Sequence, residues 1–324
     1  MKTRHAYLIV VAAAFLLSAC TISEITSSKI SFAPVASKAT RAIITGTVYP
    51  ESEHFVVSAF HDGAAPYFER LEASYNSTIA LWATSTDQYW PLGGSLTFKA
   101  YSPASATGLS IDQTNGVTAT DYTVQSTTEM TTDLCYATAT VADCSTHPES
   151  VPLTFSHALS QVVFRVKAAD YYNDANSTVN LVLKGLSLNN IYTVGDFADG
   201  TWSNQENLHD FTFLSNASMA LTYNAQNEPD IDTICTYLFL PQTLSSAVDA
   251  TASLTVSYSI AQTLNSATFT FENAPVTIPL RGTITQWEPG KKYIYTLSIG
   301  LNDNITFTAT TDVWTTAEGG VTVE

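Results

Sequence analysis

Apolar and polar residues alternate with a period of two along most of this chain. The clearest run extends from Leu254 to Ile260, where Leu, Val, Tyr and Ile alternate with hydroxyl residues. This period places one set of side chains on each face of a strand, whereas a helix repeats every 3.6 residues. The pattern recurs at 96–100, 162–166, 179–183, 268–271 and 305–310. It predicts antiparallel sheets with one buried face, and therefore an all-β protein.

A polar stretch divides the chain. Residues 143–150 break the alternation, and a strongly apolar strand begins at Val151. This break predicts two all-β domains, an N-terminal one over 30–150 and a C-terminal one over 151–324. Within the first domain, the segment 66–75 is the one candidate for a short helix.

The N-terminus has the layout of a bacterial export signal that ends in a cysteine. Lys2 and Arg4 precede an apolar run over 6–17, and small residues then lead to Cys20. The run is too short to span a membrane stably, so we interpret residues 1–19 as a lipoprotein signal peptide with Cys20 as the lipidated residue. Residues 20–29 then form a polar tether. The alternative is an ordinary secretory signal beside a chance cysteine.

The predicted mature chain is strongly acidic. Removal of Lys2 and Arg4 leaves 11 of the 13 basic residues against 29 acidic ones, a formal net charge of −18. Such a chain is unsuited to electrostatic binding of nucleic acid or anionic lipid. Charged residues make up only 13% of the sequence. The polar surface is therefore mainly hydroxyl, as in strands that show one face to water.

The sequence offers little catalytic chemistry. Cys135 and Cys144 could close a small disulfide loop or remain free, and Cys235 is then left over as a small buried residue. No cysteines have zinc-site spacing, and none of the common hydrolase, metalloprotease, phosphate-loop or dinucleotide motifs occurs. His157 lies in an apolar strand, where a structural histidine is expected. These observations predict no enzyme activity, no cofactor and no metal.

Several segments together resemble the fimbrillin family, the subunits of type V pili in anaerobic Gram-negative gut and oral bacteria. They follow the lipoprotein signal in the family's order and cover nearly the whole mature chain. The segments are DQYWPLGGSLTFKAYSP at 87–103, LTFSHALSQV at 153–162, NIYTVGDF at 190–197 closing on GTW at 200–202, LPQ at 240–242, WEPGKKYIYTL at 287–297 and VW at 313–314.

This resemblance implies an assembly mechanism. Family members consist of two tandem transthyretin-like antiparallel β-sandwich domains and reach the outer membrane as lipoproteins. An arginine-specific protease cuts between residues matching Arg41 and Ala42, which removes the lipid and a first strand matching Ile30, Phe32 and Val35. A neighbouring subunit's C-terminal strand then fills the groove. The residues of this chain that match such a donor are Ile305, Phe307, Val321 and Val323.

The resemblance also implies partners and a location. The expected partners are other pilin subunits, the protease, the outer membrane through the lipid, and a host or bacterial surface receptor. Only ten residues follow Trp314, so the short tail favours a tip, anchor or accessory subunit over a shaft subunit. Asp232-Thr233-Ile234 matches the short motif for O-glycosylation in such bacteria, with Thr233 as the acceptor.

Two other functions remain open at this point. Trp82, Tyr89 and Trp90 lie close together in sequence and could form a stacking platform in a surface glycan-binding lipoprotein of a nutrient-uptake system. The other is a glycosidase, since paired carboxylates cannot be identified from sequence alone. A structural pilus subunit that serves adhesion is the leading hypothesis.

Overall fold

The computed structural model describes residues 28–36, 49–64, 66–124, 132–174, 176–247, 251–301 and 305–313. The first half contributes nine strands: β1 (Phe32–Ala36), β2 (Phe55–His61), β3 (Pro66–Asn76), β4 (Leu81–Thr84), β5 (Leu96–Ser102), β6 (Leu109–Asp112), β7 (Gly116–Thr123), β8 (Cys135–Val141) and β9 (Val151–His157). The second half contributes ten: β10 (Ser160–Ala168), β11 (Ser177–Ala198), β12 (Thr201–Leu214), β13 (Met219–Ala220), β14 (Asp232–Phe239), β15 (Ser253–Leu264), β16 (Ala267–Glu272), β17 (Val276–Pro279), β18 (Lys291–Ile299) and β19 (Ile305–Val313). The all-β prediction is confirmed.

Seven strands of the first half form a closed sheet. Their order is β1-β4-β3-β2-β5-β8-β9, and β9 pairs back onto β1. Alternate residues of β9 point inward and are fully buried. The interior is filled by aromatic rings with centroids 5.4 to 5.9 Å apart in edge-to-face contacts, among them Phe32, Tyr49, Phe55, Phe98 and Phe155. This geometry suits aromatic side chains and makes the closed sheet a core of its own.

The second half packs two sheets face to face. A four-stranded sheet has the order β14-β10-β18-β19, and an eight-stranded sheet is built around β16-β15-β11-β7-β6, with β12, β13 and β17 paired beside this path. Val162, Phe164 and Val166 of β10 pack in one core with Leu254 and Val256 of β15. These are the alternating residues that the sequence pattern predicted to face inward.

The sheets differ from the sequence prediction in three respects. Pairing is parallel between β1 and β9 and between β10 and β18, so the sheets are not purely antiparallel. The segment 66–75 is strand β3, and the predicted helix is wrong. Arg70 takes a positive φ of 49° in a stretch where the register between β2 and β3 shifts. Such a bulge spoils the period of two and explains why the pattern resembled no strand.

The two halves exchange strands. Strands β6 and β7 belong to the eight-stranded sheet, while β9 belongs to the closed sheet. The chain therefore leaves the closed sheet after His157 and not at the predicted boundary of 150. Trp202 on β12 donates a hydrogen bond from Nε1 to the carbonyl oxygen of Ala158, at 2.6 Å, across this junction. Among the described residues, no helix is long and apolar enough to cross a membrane.

Candidate assembly site around the first strand

Strand β1 is the piece that closes the N-terminal sheet. All five of its residues pair in parallel with β9, from Phe32 opposite Val151 to Ala36 opposite Phe155. On its other side β1 meets β4 antiparallel through Phe32 and Trp82. Without β1, both β4 and β9 would present open edges, which readily accept another strand.

The side chains that precede and begin β1 are buried in the closed sheet. Ile30 is 3% exposed and Phe32 is fully buried, with its ring 5.7 Å from Phe55 and 5.6 Å from Phe98. Each such side chain contributes about 1.5–3 kcal/mol by leaving water. Val35 is 39% exposed and contributes much less. Ile30 and Phe32 therefore provide most of the apolar hold on this segment.

Residues 28–31 extend the pairing ahead of β1. The amide of Ile30 donates to the carbonyl oxygen of Gln88 at 2.8 Å, and the amide of Trp90 donates to that of Ser28 at 3.0 Å. On the opposite side, the amide of Val151 donates to the carbonyl oxygen of Ser31 at 2.8 Å. The end of the predicted tether is thus part of the sheet, and hydrogen bonds hold the segment along both edges.

Charged and aromatic groups add surface contacts to this segment. Lys29 forms an ion pair with Asp87 at 2.5 Å, and this hydrogen-bonded carboxylate raises the pKa of the Lys29 ammonium. Both side chains are more than half exposed, so the pair adds little stability. The imidazole of His147 stacks on Trp90 at 4.6 Å between centroids and lies 2.6 Å from the hydroxyl of Ser28.

The predicted processing residues fall outside the described part of the chain. Cys20, Arg41 and Ala42 lie in residues 1–27 and 37–48. The described chain resumes at Tyr49, which is fully buried against Phe55. The stretch with Arg41 therefore connects two segments that are anchored in the same core.

The candidate donor residues have different positions. Ile305 and Phe307 lie in β19, which pairs with β18 from Ile299 opposite Ile305 to Lys291 opposite Val313. Both are half-buried and pack against the core of the second half. Among the described residues β19 has no partner on its other side, so it is an edge strand. Val321 and Val323 lie outside the described residues.

The suggested Cys135–Cys144 disulfide is wrong for this structure, in which both thiols are free and buried. Cys135 begins strand β8, and Cys144 follows that strand in a short 3₁₀ turn at Cys144–Thr146. A seven-residue strand is about 20 Å long, whereas bonded cysteines need Cα atoms within about 7 Å. Thr233, the suggested glycosylation residue, is exposed on the edge strand β14.

The proposed glycan platform does not form a surface. Trp82 is 7% exposed and Trp90 is 4% exposed, so both pack inside the closed sheet, while Tyr89 is 43% exposed. Sugar stacking requires accessible ring faces. The structure therefore gives no support to the glycan-binding alternative at these residues.

Sequence reasoning missed one buried polar cluster. Asp133, Cys135 and His157 come together where β8 begins and β9 ends, with Nδ1 of His157 lying 2.8 Å from Oδ1 of Asp133 and 3.4 Å from Sγ of Cys135. The signal was spread over 25 residues of sequence. Only the pairing of Cys135 with His157 across two strands makes it visible.

Comparison with known proteins identifies the family. The model of the fimbrillin-like family matches residues 40–314. A candidate cell adhesion protein from Parabacteroides distasonis is 13% identical, with a TM-score of 0.50 over 88% of this chain and 98% of its own. One from Bacteroides uniformis is 15% identical, with a TM-score of 0.49 over 89% and 98%.

A third structure is the fimbrial anchor protein Mfa2 from Porphyromonas gingivalis. It is 13% identical, with a TM-score of 0.36 over 88% of this chain and 97% of its own. No curated protein matches the sequence. Since the family model spans most of its length, this chain belongs to the fimbrillin-like family.

Proposed function

We propose that this protein is a pilus-related adhesin subunit of the cell surface that assembles by exchange of its first strand. The observation that carries the proposal is the position of β1, which closes the N-terminal sheet between β4 and β9. The segment 37–48, which includes Arg41, separates β1 from Tyr49 in sequence. A cut after Arg41 would end the covalent link between β1 and the rest of the sheet.

The energy of the exchange is balanced in this account. Loss of residues up to Arg41 uncovers the pocket of Ile30 and Phe32 and leaves unpaired backbone groups on β4 and β9. An incoming strand with two or more apolar side chains at alternate positions regains about 1.5–3 kcal/mol for each, together with the backbone ladder. A neighbouring subunit can therefore replace β1 without a covalent bond.

We assign the donor to the C-terminal end of a neighbouring copy or a related subunit. Moving Ile305 and Phe307 would break the pairing of β19 with β18 and expose the core that these residues cover. The apolar residues beyond that strand, Val321 and Val323, carry no such cost in this account. They alternate with Thr322, as a donor strand requires.

Export and anchoring complete the proposed role. Cys20 carries the lipid that holds the precursor at the outer membrane, and an arginine-specific protease then cuts between Arg41 and Ala42. The short tail favours a tip, anchor or accessory position. A receptor on a host cell or another bacterium is the proposed adhesion partner, and Thr233 is the proposed glycosylation site.

Substitution of Arg41 tests this function. In the native host, Arg41→Ala should leave the N-terminus of surface-sheared protein upstream of residue 42 and abolish incorporation into fimbriae. Lys38→Ala is the matched control, since it removes a neighbouring basic residue and should leave an N-terminus at Ala42. Normal processing and assembly of the Arg41 variant would refute the proposed cut site.

A further inference from the structure

Three ligand-type side chains converge in a buried place that the assembly mechanism does not use. Asp133, Cys135 and His157 each offer one atom, and these atoms lie within 4.8 Å of one another. The side chain of His157 is fully buried, that of Asp133 is 2% exposed, and Cys135 is fully buried. Polar groups of this kind are expensive to bury unless their charges and hydrogen bonds are satisfied.

The strand pairing explains the convergence. Cys135 and His157 are directly opposite in the antiparallel pair of β8 and β9, so their side chains share one face. The amide of Ala158 donates to the carbonyl oxygen of Leu134 at 2.8 Å, which extends this pairing beyond the strand ends. Asp133 lies two residues before Cys135 and faces the same side.

The arrangement does not fit a catalytic triad. In such a triad the acid orients one imidazole nitrogen while the other activates the nucleophile. Here the carboxylate and the thiol both face the same atom, Nδ1 of His157. Burial, followed by the nearby Asp133 carboxylate, raises the pKa of the Cys135 thiol and opposes its use as a nucleophile.

A buried ion pair between His157 and Asp133 also leaves features unexplained. Among the described residues, Oδ2 of Asp133 has no hydrogen-bond partner although it is buried. The thiol adds no positive charge next to that carboxylate. A carboxylate, a thiol and an imidazole nitrogen directed at one point form a set of ligands that a divalent metal ion would satisfy.

We propose that Asp133, Cys135 and His157 form a binding site for a thiophilic divalent metal ion, with Zn²⁺ as the best match. A thiolate and a carboxylate together cancel its double charge, so the buried site becomes neutral. Tetrahedral Zn²⁺ holds N and S ligands about 3.5 Å apart, close to the 3.4 Å between Nδ1 and Sγ. The 2.8 Å between Nδ1 and Oδ1 would open by about half an ångström.

The fourth position is available to water or to Oδ2 of Asp133. Binding replaces the proton of the Cys135 thiol and any proton on Nδ1, and these protons leave to solvent. Affinity therefore rises with pH. A surface cavity of about 400 Å³, lined by Tyr122 and Thr132, lies beside the Asp133 end of the site and offers a route of entry.

The location gives the ion a structural role. Tyr122 of β7 packs on Trp202 at 5.5 Å, and Trp202 donates to the carbonyl oxygen of Ala158, next to His157. The site thus lies where the closed sheet meets the eight-stranded sheet. A bound ion ties the start of β8 to the end of β9 at this junction and stabilises it independently of strand exchange.

Cobalt spectroscopy on the purified full-length chain tests the site. After treatment with a chelator, Co²⁺ should bind saturably at one ion per chain and give a thiolate-to-metal charge-transfer band that Zn²⁺ abolishes by displacement. Zn²⁺ should also raise the thermal unfolding midpoint. Absence of the charge-transfer band in the folded wild-type protein would overturn the proposal, and this measurement requires no variant.

Variants then assign the ligands. Cys135→Ser should lose the charge-transfer band, and Asp133→Asn and His157→Gln should weaken binding by about 100-fold or more. Cys235→Ser is the matched control, because this thiol lies on β14 away from the site, and it should bind like wild type. A band that survives Cys135→Ser or disappears in Cys235→Ser would place the metal elsewhere and contradict the assignment.

Discussion

At the scale of single residues, a few buried side chains decide how firmly the first strand is held. Ile30 and Phe32 lie inside the closed sheet, whereas Val35 is partly exposed at its surface. The sequence placed all three in one strand but could not rank them. That ranking depends on the aromatic rings of Phe55 and Phe98, which come from distant strands.

Truncating Phe32 should therefore destabilise the uncut protein strongly. Phe32→Ala removes a fully buried ring and should lower the free energy of unfolding by about 3–5 kcal/mol. Val35→Ala is the control on the same strand and should cost less than about 1 kcal/mol. Denaturant titration of both variants measures the difference, and equal losses would show that Phe32 does not anchor β1.

At the scale of elements, turns fix where the strands begin and end. Asp62 accepts hydrogen bonds from the amide and the hydroxyl of Ser95, and Asp112 accepts them from the amides of Thr114 and Asn115. The amide of Ser95 lowers the pKa of Asp62, and that of Asn115 lowers the pKa of Asp112. Both carboxylates therefore favour the folded state when ionised.

These turns predict a loss of stability in acid. Because their folded-state pKa values lie below the unfolded value of 3.8, the contribution is complete above that value and disappears as pH falls through the folded-state pKa. The thermal midpoint should drop between about pH 5 and pH 2. Asp112→Asn keeps an acceptor but cannot ionise, so its midpoint should depend less steeply on pH. An unchanged slope would contradict this role of the Asp112 turn.

Element prediction from sequence succeeded where alternation was regular. Strand β10 and strand β15 follow a period of two, and their inward residues are those expected. Strand β3 was missed because the bulge at Arg70 breaks the period. The parallel pairs of β1 with β9 and β10 with β18 were also missed, since alternation gives no strand direction.

At the scale of the whole molecule, two cores share one chain through exchanged strands. A predicted boundary near 150 followed a polar stretch, yet β9 completes the first core and β6 and β7 extend the sheet of the second. Polar composition marks loops, and it cannot tell to which sheet the next strand returns. The same limit hid the cluster of Asp133, Cys135 and His157, which exists only through the register of β8 and β9.

The position of β1 leads to a mechanical account of assembly. It closes a sheet, covers a small apolar pocket and precedes the basic segment that contains Arg41. Its removal would change one edge of β4 and one of β9 while leaving the second half intact. The account requires that cleavage opens this edge and that assembly closes it again.

Hydrogen–deuterium exchange of the β9 amides tests this requirement most directly, because the amide of Val151 donates to Ser31 beside β1. Peptides covering 151–157 should be protected in the uncut protein, exchange rapidly in the monomer cut after Arg41, and regain protection in assembled fimbriae. Peptides from β15 should stay protected throughout and serve as the internal control. Unchanged protection of β9 after residues up to Arg41 have been removed would contradict strand exchange at this site.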